Sequence, residues 1–155
     1  MDQKVVAEND AARARLNALV AKLKDSDYER QVGRDWTVGT ALAHLAYWDR
    51  RNRLLLEAWK RGNVPPDDGP EWYDDAQSDA VLDVQNDALL DEWRALSPQA
   101  VARLVSEAAA AADATVTKLD DGLADKVIAA GGIRRLARSQ HRSEHIADIE
   151  KALGR

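Results

Sequence analysis

Apolar residues return every three or four positions along nearly the whole chain, and no stretch alternates apolar and polar residues with clustered Val, Ile and Thr. A three-to-four-residue period places apolar side chains on one face of an α-helix, whereas a strand needs a period of two. Punctuation is sparse, with 8 Gly and 4 Pro in 155 residues. The pattern therefore predicts helices and no strands. A first helix is expected from about Asp2 to Lys24, with Val5, Ala12, Leu16, Leu19, Val20 and Leu23 as its stripe. A polar connector from Asp25 to Asp35 precedes Trp36-Thr37-Val38-Gly39, where Thr37 is a suitable N-cap. The second helix carries Val38, Leu42, Leu45, Trp48, Leu55 and Trp59 and stops at Gly62.

Pro65, Pro66, Gly69 and Pro70 then break the chain, and the stretch from Val64 to Pro70 reads as a connector between helices. A third helix is expected from about Asp75 to Ala95. Ser97-Pro98 pairs a cap with proline at the first helical position and starts a fourth helix, which ends near Leu119 before Asp120-Asp121-Gly122. Within it, Ala108 to Ala112 offers small side chains for close helix approach. A last helix is expected from Gly132-Ile133 to Leu153-Gly154. Helices of about 20 residues span about 30 Å and bury their stripes by packing antiparallel. The expectation is all-α: one domain over residues 1–155, a four-helix bundle with one additional short helix.

Charge and composition narrow the function. Twenty-seven acidic against 22 basic residues give a net charge of −5, which argues against a dedicated nucleic-acid binder. No run approaches 18 apolar residues, so no membrane span is expected. The first residues, MDQKVVAENDAAR, lack the apolar core of a signal peptide. Cysteine is absent, which removes disulfides, thiolate nucleophiles and thiolate metal ligands and is compatible with a reducing cytoplasm.

The three histidines carry the chemistry. His141 and His145 are four residues apart on the last helix, about 40° apart around its axis, a spacing at which two imidazoles can chelate one ion. Ile133, Ala137, Ile149 and Ala152 share that face, so it is expected to point inward. His44 lies on the apolar side of the second helix, between Leu45 and Trp48. Such a pair recurs by chance on many helices, and a buried histidine is more often hydrogen-bonded than metal-bound. Here all three histidines fall on inward faces of two helices. Three imidazoles would leave one coordination position open, the form of a catalytic rather than a closed structural site. Zinc and nickel both suit such donors.

His141-Arg142-Ser143-Glu144-His145 also fits H-x-x-E-H, the inverzincin protease pattern with Glu144 as base. Those enzymes need a further acidic ligand well downstream, and the chain ends ten residues after His145, so Glu144 reads as a helix-face carboxylate. Asp148, one turn past His145, is a candidate to orient an imidazole or bind metal, or else a rim carboxylate; Asp49 is a candidate for a supporting role. Arg50, Arg51 and Arg53 face either an anionic substrate or solvent. Trp36, Trp72 and Tyr73 flank loops where a pocket mouth would lie, and Trp48, Trp59 and Trp93 read as core.

Trp36-Thr37-Val38-Gly39 followed by His44-Leu45-Ala46-Tyr47-Trp48-Asp49 resembles the second-helix signature of the DinB/YfiT-like superfamily, and His141-Arg142-Ser143-Glu144-His145-Ile146 resembles its last-helix motif. Within it, the chain is similar to the metal-binding domain of mycothiol-dependent maleylpyruvate isomerases. The likeness runs through nearly the whole chain. It implies a bundle holding a divalent ion on His44, His141 and His145, S-transferase or isomerase chemistry with a low-molecular-weight thiol, and a homodimer. The larger isomerases carry a second, C-terminal domain with no counterpart here. Two function classes follow: a metal-dependent enzyme on small molecules, using thiol or water, and a non-catalytic, stress-related binding bundle whose metal site is structural or vestigial.

Overall fold

In the computed structural model, which describes residues 2–62, 75–129 and 131–155, local caps set the helix starts. Asp2 accepts the N–H of Lys4 at 2.8 Å and opens α1, Gln3–Val20. A 3-10 turn, Asp25–Glu29, follows. Thr37 caps α2, Val38–Lys60, as expected: its hydroxyl accepts the N–H of Thr40, and the Thr40 hydroxyl accepts the N–H of Thr37. The third helix, α3, spans Asp75–Arg94. Ser97 accepts the N–H of Ala100 and opens α4, Pro98–Thr117, with proline at the first turn.

Three local expectations are corrected. The polar connector contains a two-stranded antiparallel ribbon, β1 Gln31–Val32 and β2 Trp36–Thr37. Strands of two residues are too short to show alternation, and Gly33 at φ +66° supplies the left-handed turn residue. The Asp120-Asp121-Gly122 breaker also starts a further helix: the Asp120 carboxylate accepts the N–H of Leu123 at 2.8 Å and caps α5, Asp121–Ala129. The last helix is two pieces, α6 Ile133–Leu136 and α7 Ser139–Ala152. The break is imposed by α1. Asn9 Oδ1 accepts the N–H groups of Arg138 and Ser139 at 2.8 and 3.0 Å, and Asn9 Nδ2 donates to the Leu136 carbonyl at 2.7 Å. Ile133, expected to face inward, is 42% exposed on α6.

Helix α2 is central. It packs along α4 and against α3 and α7, and α1 lies against α7 and α4. Leu16, Val38, Leu42, Leu45, Val101, Val105, Ile146 and Ile149 form the main core, with Ala109 buried among them. A second cluster around Leu56, Val116, Leu119, Leu123, Val127 and Leu136 fills the other end. Each fully buried Leu, Ile or Val contributes about 1.5–3 kcal/mol. Trp48 and Trp93 are buried as expected, whereas Trp59 is only half-buried at the edge of the second cluster. Among the described residues no helix is long and apolar enough to cross a membrane.

Candidate metal centre

His44 projects from α2, and His141 and His145 from α7, into one cluster at the main core. His44 Nε2 and His141 Nε2 are 3.0 Å apart, and one nitrogen from each of the three rings lies within 4.8 Å of the others. The rings stand nearly edge to face, with centroids 4.7–5.0 Å apart. An aromatic wall encloses them. Trp36 tilts against His44 at 4.7 Å and stacks on His145 at 5.9 Å, and Trp93 meets His44 edge-on at 5.6 Å.

One hydrogen bond fixes the tautomer of His141. Arg138 offers only N–H groups, so His141 Nδ1, 2.8 Å from its guanidinium, is an acceptor. The ring proton of neutral His141 then sits on Nε2, which faces His44 Nε2 at 3.0 Å. Trp48 Nε1–H is aimed at both His44 Nδ1 and Asn86 Oδ1, each at 3.1 Å, and Asn86 Oδ1 lies 3.2 Å from His44 Nδ1. Burial pushes His44 down to about 3, with the charge of His145 as a further cause. Burial and then the Arg138 guanidinium push His141 down to about 2, and burial also lowers His145. Near pH 7 all three are neutral imidazoles, the donor type that suits a divalent ion, and ligation by His141 Nε2 requires the ring proton to leave that nitrogen.

Behind the triad lies a buried ionic network. The Asp49 carboxylate, 0% exposed, accepts Arg138 Nε at 2.8 Å and Arg142 Nε at 2.9 Å. Arg142, also 0% exposed, donates to Asp113 at 2.9 Å, and Arg13 pairs with Asp113 at 2.9 Å. Burial works against the Arg142 charge, but Asp49 and Asp113 outweigh it and raise its pKa. Asp49 therefore reaches the cluster through Arg138 and touches no imidazole.

The other candidates fall outside the cluster. Asp148 is exposed, and Glu144 is an exposed helix-face carboxylate accepting from Gln140 at 2.9 Å. Arg50 is exposed, Arg51 lies over the Trp48 ring at 5.1 Å, and Arg53 pairs with Glu57 at 3.3 Å. Trp36 does occupy a pocket mouth. It lines a groove of about 710 Å³ together with Gln31, Arg34, His145, Asp148 and Lys151. Trp72 and Tyr73 lie outside the described residues, as does the stretch from Val64 to Pro70. Asn86, Arg138 and Arg142 were not singled out in the sequence. Asn86 stands at helical spacing with Leu82 and Leu89, and Arg142 with Ile146 and Ile149, so a polar residue on an apolar line was the signal available.

No curated protein and no solved structure matches this chain. The family model of the DinB superfamily matches residues 8–152, a span that takes in all three histidines and both helices that carry them. The chain belongs to the DinB superfamily.

Proposed function

We propose that this protein is a metal-dependent enzyme that joins a low-molecular-weight thiol to a small electrophile or uses it to isomerise one, with His44, His141 and His145 as the ligands of one divalent ion. The convergence of three neutral imidazole nitrogens beside an open groove carries this reading. A zinc or nickel ion there supplies Lewis acidity and lowers the pKa of a thiol or water that it binds. The chain has no cysteine, so a thiolate nucleophile must come from a cosubstrate, for which a reducing cytoplasm is a suitable setting. Asn86 and Arg138 hold the rings of His44 and His141 from behind. Trp36 and Trp93 pack against the His44 ring at 4.7 and 5.6 Å. His145 and Trp36 border the groove and form the side from which a small molecule reaches the triad. A homodimer, as the resemblance implies, is part of the proposal.

Because the groove is open to solvent, hydrolysis with water as nucleophile is the second reading. One experiment separates the possibilities. Zinc- or nickel-loaded protein is offered a panel of small thiols with a panel of electrophiles, with and without chelator. Metal- and thiol-dependent product supports the proposal. Metal-dependent product without thiol supports hydrolysis. No turnover across the panel favours a binding bundle.

A further inference from the structure

We propose that the groove beside the triad binds a small zwitterion of the amino-acid type, its ammonium held near the triad and its carboxylate further out. This names the substrate class of the enzyme proposed above and rests on the reading of that groove as the route to the ion. Trp36, stacked on His145 at 5.9 Å, marks the inner end. Four charged side chains line the groove beyond these rings: Asp148 and Lys151 on α7, and Arg34 and Asp35 on the turn of the β1–β2 ribbon, whose first strand packs against α7. Two carboxylates and two cations cancel in net charge, so the groove suits neither a plain anion nor a plain cation. It offers partners to a ligand that carries both signs. The four do not neutralise one another. Asp148 and Lys151 are three residues apart on α7, a spacing at which opposite charges can pair. Yet none of the four side chains makes a hydrogen bond or ion pair with another described residue. Their order gives the ligand a direction. Counted along α7 from His145, Asp148 comes about 4.5 Å and Lys151 about 9 Å further on. The ribbon repeats the order in sequence, with Trp36 at the triad, then Asp35, then Arg34. Both walls therefore present a ring, a carboxylate and a cation in turn. The C-terminal end of α7 carries about half a negative charge, which the two unit charges of Lys151 and Arg34 outweigh. Two extended amino-acid residues reach about 7 Å. That length sets an ammonium beside Asp148 and a carboxylate at Lys151 and Arg34, while the first side chain turns toward the triad.

The test titrates the isotope-labelled full chain, without added metal, with a set of dipeptide probes and follows amide shifts by NMR, which locate each probe and give its Kd. The probes are cysteinylglycine, serylglycine, N-acetylcysteinylglycine, which lacks the ammonium, and cysteinylglycinamide, which lacks the carboxylate. The expected result is that cysteinylglycine and serylglycine shift the amides of Arg34, Asp35, Trp36, Asp148 and Lys151. Removing either charge from the probe should weaken binding by roughly threefold or more, the scale of an exposed ion pair. Arg34→Gln combined with Lys151→Gln should abolish the preference for the carboxylate and keep that for the ammonium, and Asp148→Asn should do the reverse. All three positions are exposed, so these variants keep the fold. Equal binding of all the probes, shifts confined to other parts of the chain, or preferences unchanged in the variants would overturn the inference and leave the metal site standing. Zinc-loaded protein, with bound zinc checked after each titration, separates the two sources of the zwitterion. Tighter binding of cysteinylglycine than of serylglycine assigns it to the thiol, and equal binding assigns it to the electrophile; either supports the inference. A wild-type chain that binds serylglycine in the groove but takes up no zinc supports the groove and overturns the metal-site reading.

Discussion

His44 and His141 are 97 residues apart in the chain, yet their Nε2 atoms lie 3.0 Å apart. Each ring is held on its other nitrogen by a residue from a different place, Asn86 on α3 and Arg138 at the start of α7. The triad is therefore oriented from its outer side, and its shape depends on the packing of α2, α3 and α7 together.

Acid should weaken the metal-free protein well before its carboxylates protonate. His44 is pushed down to about 3 and His141 to about 2 in the fold, chiefly by burial, while the unfolded chain takes up protons near pH 6.5. The unfolded state binds more protons throughout that window, so stability is retained above pH 6.5 and falls as pH drops toward the folded values. Each of these two histidines should cost about 2 kcal/mol by pH 5. Urea unfolding midpoints at pH 7.5 and pH 5 measure this. Equal midpoints would show that the rings are accessible to protons in the fold.

Asp49→Ala should destabilise the protein by about 3–5 kcal/mol, because it leaves the buried cation of Arg138 without a carboxylate and Arg142 with Asp113 alone. Thermal unfolding reads the loss. A change within about 0.5 kcal/mol would mean that water or another carboxylate takes over the site.

Asn9→Ala should cost about 1–3 kcal/mol by leaving two α7 N–H groups and the Leu136 carbonyl without their partner. Hydrogen exchange localises the effect: the amides of Arg138 and Ser139 should exchange faster than in wild type, with α4 amides little changed relative to global stability. Uniform change across all helices would place the role of Asn9 elsewhere.

What the sequence made legible were features carried by neighbours in the chain. The stripe through Leu16 and Leu19, the caps at Thr37 and Ser97, and the four-residue spacing of His141 and His145 all depend on local geometry. The site's outer support did not read out, because it is made across the fold. Nothing near Ala137 in sequence breaks a helix; the break comes from a side chain on α1, 129 residues before Arg138. Asp49 was visible as a candidate, but its route to the triad runs through Arg138, whose role depends on which helix faces it. The small ribbon at Gln31–Thr37 escaped because a two-residue strand has no period.

His141→Ala should leave the bundle folded, since its stability rests on the buried stripes of Leu16, Leu42, Leu45, Val105 and Ile146, each contributing about 1.5–3 kcal/mol. Loss of helical signal comparable to unfolding would mean that the triad is structural.

The central claim, that His44, His141 and His145 together hold one divalent ion, is tested most directly by stoichiometry. Wild type and His141→Ala are dialysed to equilibrium against low-micromolar zinc, and bound metal per folded chain is measured. The account predicts one ion per chain in wild type and a near-complete loss in the variant, with circular dichroism unchanged. Equal zinc content in the two proteins, or none in wild type, would contradict it.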